Sequence, residues 1–262
     1  MLKKTLYSIF ENLELIREMA FRELKGATKG AFLGLFWIII SPLIQVVVYV
    51  VVVSFVFRMR LGEGSGYFDY AIYVLSGMIP WQLMTKSLSD APSLIRSRMA
   101  LVKEVIYPIE TLPVSSLIMS SVGPLIAFIL FFVISAISGK LTWSFLILPV
   151  PFLLLGIFLT GFGWIFSIAG ILIKDLREIV SVILALVVYI SPVIASEAMV
   201  GEAIWKLILL NPLAHVVICF RDVYNSTFHG TSWLIFTGMS FFAFVIGIVI
   251  ITKTKVLINE YI

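Results

Sequence analysis

Residues 31–57 read AFLGLFWIIISPLIQVVVYVVVVSFVF, a run from Ala31 to Phe57 without Asp, Glu, Lys or Arg. About 20 apolar residues in a helix span the ~30 Å hydrocarbon core of a bilayer, so this segment is long enough to cross. Five more runs pass the same test: 70–90, broken only by Lys86, then 112–138, 142–173, 179–196 and 233–252. The composition agrees. Of 262 residues, 61% are hydrophobic and 13% charged, against about 45–50% and about 25% in soluble domains. Mean hydropathy is +1.10. A globule of this size has too little interior to hide so much apolar surface, so part of it faces lipid. A soluble enzyme and a disordered chain are both excluded. The sequence predicts an all-α integral membrane protein with six transmembrane helices. Six spans use about 120 residues, which leaves no room for a nucleotide-hydrolysing domain of about 200.

One further apolar stretch, 203–220, is broken by Lys206, Asn211-Pro212 and His215. Its halves are too short to cross and read as two short re-entrant outer helices before the last span, where protein or water satisfies the freed backbone groups. Six spans put both termini on one side. That side collects thirteen cations: Lys3, Lys4, Arg17, Arg22, Lys25, Lys29, Arg96, Arg98, Lys103, Lys174, Arg177, Lys253 and Lys255. The other has five, Arg58, Arg60, Lys140, Lys206 and Arg221, while Lys86 snorkels near the end of the second span. By the positive-inside rule both termini are cytoplasmic. This placement accounts for the net charge of +4, so no nucleic-acid partner is expected. The single cysteine, Cys219, excludes an internal disulfide.

Residues 1–29 contain Glu11, Glu14, Glu18 and Glu23 and no unbroken apolar core, unlike a signal peptide. Leu6, Ile9, Phe10, Leu13, Ile16, Ala20 and Leu24 recur at three- and four-residue steps, opposite Glu11, Glu14, Glu18, Arg22 and Lys25. This spacing predicts a cytoplasmic amphipathic interface helix, serving either simple anchoring or the docking of a partner. Gly26 and Gly30 supply the turn into the first span. The domain division is therefore 1–29 for that helix and 30–262 for the transmembrane domain, with a cytoplasmic loop at 91–111 and the outer short helices at 197–229.

No catalytic signature is present. There is no phosphate-binding G-x-x-x-x-G-K-[ST], no G-x-S-x-G, no H-E-x-x-H and no C-x-x-C. His215 and His229 read as structural residues, and no metal is expected. Asn225-Ser226-Thr227 fits a glycosylation acceptor, a pattern short enough to arise by chance. None of the six spans has a charge near its centre, which argues against an ion-coupled carrier. Energy must come from elsewhere.

In the first span Trp37, Ser41, Gln45 and Tyr49 follow at i+4 steps, each drifting about 40°, so the four share a stripe about 120° wide. Two readings stand. The stripe lines a path for a polar, ring-containing substrate that stacks on aromatic faces, or it packs on another helix with Gln45 bonded to a neighbour. The loop Arg96-Ser97-Arg98-Met99-Ala100-Leu101-Val102-Lys103-Glu104-Val105-Ile106-Tyr107-Pro108 is too long for a minimal turn. It reads as a short helix with basic and apolar faces that docks on a cytoplasmic protein, or as a plain positive-inside loop.

Several segments carry a resemblance. Arg22-Glu23-Leu24-Lys25, Lys29-Gly30-Ala31-Phe32-Leu33-Gly34-Leu35-Phe36-Trp37 and Pro42-Leu43 resemble the approach to the first span of type-2 ABC exporter permeases, in the branch that exports O-antigen, teichoic acid or capsule. Gly77-Met78-Ile79-Pro80-Trp81, Lys174-Asp175-Leu176-Arg177, Ser191-Pro192-Val193, Asn211-Pro212-Leu213 and Phe220-Arg221-Asp222 follow in that family's order. Thr28 departs from it, standing where an aromatic is common.

The resemblance implies a permease of the cell inner membrane that forms a homodimer with two copies of an ATP-binding cassette subunit. ATP and Mg would sit on that partner, and this chain would have no cofactor. The substrate would be an undecaprenyl-linked polysaccharide. Spans one and five would line the channel, making Trp37, Ser41, Gln45, Tyr49, Trp81 and Tyr189 the pathway candidates. The N-terminal helix and the loop would meet the ATPase, through Arg22, Glu23, Lys25, Arg96, Arg98, Lys103, Glu104 and Tyr107. Other readings stand beside it: an exporter of drugs or lipids in the same family, a motor-independent channel or scaffold, and an intramembrane enzyme.

Overall fold

Helices follow the apolar runs. The computed structural model describes residues 2–27, 30–52, 67–99 and 108–261, among which there is no strand. In chain order the helices are α1 (Leu2–Glu11), α2 (Leu13–Ala27), α3 (Trp37–Val51), α4 (Tyr67–Asp90), α5 (Leu94–Ser97), α6 (Leu112–Ile137), α7 (Pro149–Leu172), α8 (Leu176–Val187), α9 (Glu197–Ile208), α10 (Pro212–Asn225) and α11 (Gly230–Tyr261). Short 3-10 turns precede or follow several of them, at 91–93, 109–111, 143–147 and 188–190. Prolines open α6, α7 and α10 near their first positions, where a missing N–H costs nothing. Asn211 caps α10, its side chain accepting the Leu213 N–H at 3.0 Å.

The central element is α4. Tyr70 to Leu75, Ile79, Trp81, Leu83, Met84 and Leu88 are all buried, so it is enclosed on nearly every side, as a helix apolar all round must be. It packs on α6, α7, α8 and α10. Trp81, Met84, Leu155, Phe158, Phe220 and Phe236 form the main core with their neighbours from α8. A second cluster joins α3, α4 and α6 through Val46, Ile72, Leu75, Ile79, Ala127 and Phe131.

α7 and α11 approach each other closely. A Cβ on Gly161 would lie 2.4 Å from the Ala243 carbonyl carbon, and one on Gly247 would lie 2.3 Å from the Gly161 oxygen. Two backbones meet there because Gly161 faces Ala243 and Gly247, small residues four apart on α11, a packing that suits apolar solvent, in which helices gain nothing by hiding greasy side chains from lipid.

Among the described residues, three helical segments are long and apolar enough to cross a bilayer: Ile109–Ile137, Trp143–Leu172 and Gly230–Lys255. The other expected spans look different for local reasons. Positions 53–57 of the first lie outside the described residues. The second, in α4, carries Asp69, Lys86 and Asp90. The fifth is only the twelve residues of α8 and one 3-10 turn before Ser191 turns extended, with φ −121° and ψ 151°, ahead of Pro192.

The N-terminal segment is two helices rather than the one its periodicity suggests. The Ser8 carbonyl accepts from both the Asn12 N–H at 3.1 Å and the Asn12 side-chain amide at 2.7 Å, a local bond that competes with the helical ladder. Its apolar face is also divided. Ile16 and Ala20 are buried and Ile9 packs against Ile109, Trp164, Ile248 and Ile251, while Tyr7, Phe10, Leu13 and Phe21 stay exposed. Of the two glycines, Gly26 lies within α2 and only Gly30, at φ +84°, makes the turn.

Candidate functional site

Polar groups gather at the two ends of the bundle and in one groove between α3, α4 and α6. At the end where α2 lies, Glu23 of α2 pairs with Arg98, and Arg177 of α8 donates to Asp90 at 3.1 Å. Lys255 of α11 reaches the fully buried Glu110 at 2.7 Å. Arg96 donates to the Gly170 and Lys174 carbonyls, supplying partners that the C-terminal end of α7 lacks. Burial pushes the Glu23 carboxyl above its ordinary range, outweighing the pull of the neighbouring Arg98 guanidinium.

At the opposite end Lys140 pairs with Asp69, and Arg221 is the hub. Its guanidinium lies 3.5 Å from the centre of the Tyr73 ring. It donates to the Pro192 and Val193 carbonyls, the latter at 2.7 Å, to the Tyr73 carbonyl at 3.2 Å and to the Tyr73 hydroxyl at 2.7 Å. Tyr70 and Tyr73 donate to Ile194 and Ala195 in the same turn. Gly77 leaves room for this, since a Cβ there would lie 3.0 Å from an Arg221 nitrogen. The adjacent Asp222 holds the next loop, accepting from Thr227 Oγ1, the His229 N–H and Trp233 Nε1 at 2.7–2.9 Å.

The groove encloses about 670 Å³, within the usual range of about 300–1,000 Å³ for ligand sites. α3 contributes Trp37, Ser41 and Gln45; α4 contributes Trp81, Gln82, Thr85, Lys86, Ser89 and Asp90; Met119, Val122 and Pro124 of α6 make an apolar wall. Gln82 Nε2 donates to Gln45 Oε1 over a long 3.4 Å, so Gln45 is both bonded to a neighbouring helix and open to the groove. Pro42 rests against the open face of Gly123, where a Cβ would sit 3.6 Å away, and this holds α3 against α6 while its polar stripe stays free.

Four of the six expected pathway residues, Trp37, Ser41, Gln45 and Trp81, are thus together. They differ in access: Trp37 is 42% exposed and Trp81 only 4%, so Trp81 is chiefly a core residue with an edge on the groove. Tyr189 stands apart, exposed on the turn after α8, although its neighbour Val188 lines the groove. The Tyr49 side chain lies outside the described residues.

Of the expected coupling residues, Arg98 and Glu23 bind one another and Arg96 binds carbonyls, as above. Arg22 is exposed beside Glu18 at 3.8 Å, and Lys25 lies 4.4 Å from the Phe21 ring centre. Lys103, Glu104 and Tyr107 are outside the described residues. Gln82, Thr85, Ser89 and Asp90 were not anticipated, and Lys86 was read only as a snorkelling side chain. The signal was available: 82, 86 and 90 are spaced by four, as 37, 41 and 45 are.

Comparison with known proteins gives this geometry a context. Over 262 aligned residues the chain is 26% identical to a Klebsiella pneumoniae protein named O-antigen export system permease protein RfbA, covering 96% of each chain. A second Klebsiella pneumoniae protein of that name is 24% identical over 96% of each chain. A Myxococcus xanthus protein, again so named, is 25% identical over 82% of each. The family described as ABC-2 type transporter matches residues 14–225, a stretch that runs from α2 through the groove and the Arg221 hub to the end of α10. Helices fit for a bilayer and a family match over residues 14–225 lead to one assignment: the chain belongs to the ABC-2 type transporter family.

Proposed function

We propose that this chain is the six-span permease subunit of an ATP-driven exporter, moving lipid-linked polysaccharide of the O-antigen kind through a channel formed by two copies. The end bearing α2, Arg96 and Arg98 faces the cytoplasm, as the distribution of cations favours. α3, α4 and α8 supply three of the crossings, and α9 with α10 forms the short outer helices. ATP with Mg is held and hydrolysed on two separate ATP-binding cassette subunits, which meet the cytoplasmic end of the bundle.

The observation that carries the reading is the groove. An exposed indole, two amides and several hydroxyls along one side of an otherwise apolar bundle suit a sugar chain, whose rings stack on aromatic faces while their hydroxyls exchange hydrogen bonds. At about 670 Å³ it holds only a few rings. A polymer therefore needs the groove to continue, which a second copy facing α3 and α8 would provide. The names of the relatives point to the same substrate class.

The test is co-purification in detergent with the ATP-binding cassette protein encoded beside this chain, followed by ATP hydrolysis with and without lipid-linked glycans. The expected result is a two-plus-two complex whose turnover responds to the glycan. A monodisperse chain that ignores the ATPase would overturn the motor-driven reading in favour of a channel or scaffold.

A further inference from the structure

Lys86 is the cation that lines the groove. Asp90, one turn further along α4, is held by Arg177 at 3.1 Å, and no ion-pair partner for Lys86 occurs among the described residues. Its side chain is exposed and lines the cavity. Four residues at about 1.5 Å rise place it about 6 Å from Gln82, with Asp90 the same distance beyond. The groove is therefore graded. It is charged toward α2, amide-lined at Gln45 and Gln82, and apolar along Met78, Met119 and Val122.

A lysine so placed at the edge of an apolar wall stands ready for an anion. The fit is to an amphiphile whose charged group lies at the α2 end while its apolar part follows the α6 wall. A carboxylate of the protein could have neutralised the site, yet the nearest one on the same helix, Asp90, is already engaged. The hydroxyls of Ser41 and Ser89 and the amide of Gln45 line the same groove and offer further donors to several oxygens at once.

We infer that Lys86 forms a phosphate-binding subsite in the groove, taking the phosphate or diphosphate that links a lipid carrier to its cargo. This rests on the exporter reading and names the part of the substrate that the groove reads first. The charged link is held by Lys86 near the bilayer surface, and the first sugar rings then lie against Trp37, Gln45 and Gln82.

The experiment measures binding to the full chain in phosphatidylcholine nanodiscs, with three probes: undecaprenyl diphosphate, inorganic diphosphate and phosphatidylglycerol. Lys86→Gln should weaken undecaprenyl diphosphate about tenfold or more, the scale of one charge-assisted hydrogen bond. Lys86→Arg should retain most of the affinity. Lys206→Gln, on the distant exposed α9, controls for net charge, and an unchanged elution profile controls for folding.

Equal Lys86-dependence for inorganic diphosphate would uphold the subsite and assign it to free phosphate groups. Dependence for phosphatidylglycerol as strong as for undecaprenyl diphosphate would uphold it and assign it to bulk anionic lipid. Wild-type affinity for all three probes in Lys86→Gln would overturn it. The two readings fail separately. An ATPase complex that still responds to glycan, with Lys86→Gln binding like wild type, removes the subsite alone. A chain that ignores the ATPase but binds through Lys86 removes the motor and leaves the subsite.

Discussion

Replacing Arg221 with alanine tests whether the turn after α8 is held by one guanidinium. The partners it would lose are not equal. The Tyr73 carbonyl also accepts from Ser76 Oγ at 2.7 Å, and the Tyr73 hydroxyl still donates to Ala195. The Pro192 and Val193 carbonyls have Arg221 as their side-chain donor and would be left bare in a buried site. Two orphaned carbonyls at about 1–3 kcal/mol each come to about 2–6 kcal/mol. At about 2–4 °C per kcal/mol this lowers the melting point by about 10 °C. An opposing term exists, because removing a buried cation with no carboxylate partner also removes its desolvation cost. The cavity left by alanine works the other way, so Arg221→Met, which fills the space without charge, separates the two. A thiol-reactive fluorogenic dye provides the assay, since the single cysteine, Cys219, is fully buried two residues away on the same helix. Arg221→Ala should unfold earlier and label faster in the folded state, with Arg221→Met between it and wild type. If Arg221→Met melts within a degree of wild type and labels no faster, the hydrogen bonds merely offset the burial of the charge, and the staple argument is wrong.

Three more outcomes follow from the same geometry. Glu23 has its carboxyl pushed above its ordinary 4.5 by burial, so in the pH range just above 4.5 the folded state holds more protons than the unfolded one; stability then falls as pH rises through that range. Glu23→Gln should flatten this dependence in melting curves run from pH 4.5 to neutrality, and an unaltered slope would refute the assignment. Gly161→Leu forces a side chain into the Ala243 backbone and should destabilise by at least the usual overpacking cost of about 1–3 kcal/mol; normal melting would mean that α7 and α11 do not meet there. On the exporter reading, Trp37→Ala should lower glycan-dependent export about two- to tenfold, the scale of one lost aromatic contact, while the chain still assembles with the ATPase. Full export by that variant would remove Trp37 from the path.

The long apolar helices were legible because a bilayer imposes a length, and the runs at 112–138, 142–173 and 233–252 met it without interruption. The break at Asn211-Pro212 was equally plain, since proline and a capping asparagine leave little choice. Other features depended on partners far away in sequence. Nothing near Asn12 announces a helix break except its side-chain amide, and nothing near Ile16 or Ala20 says that their face meets protein rather than lipid. The groove was half legible. Period-four spacing picked out Trp37, Ser41 and Gln45, but the facing stripe on α4 was hidden because Lys86 was treated as a lone charge near a span end. Arg221 appeared only as one of five cations on its side, and its role depends on carbonyls about thirty residues earlier and on Tyr73 far upstream.

The contacts of Arg96 and Arg98 change how a force at that end would travel. Surface cations awaiting a partner would transmit a push only through the bond made with that partner. These two are already committed, Arg98 to Glu23 on α2 and Arg96 to the Gly170 carbonyl of α7 and the Lys174 carbonyl just past its end. Close by, a Cβ on Gly170 would lie 1.9 Å from the Pro92 carbonyl oxygen, so α7 and the 91–93 turn touch backbone to backbone. α2, the turn, α5 and the end of α7 are thereby clamped together, and Arg177 adds the start of α8 through Asp90. Packed contacts of this kind shift as units rather than deform gradually. On the exporter reading, an ATPase closing beneath α2 displaces the clamp as one piece. The motion reaches α8 through Asp90 on the same turn of α4 that carries Ser89, one turn from Lys86. The wall that would meet the substrate's charged end is then the first part of the groove to move.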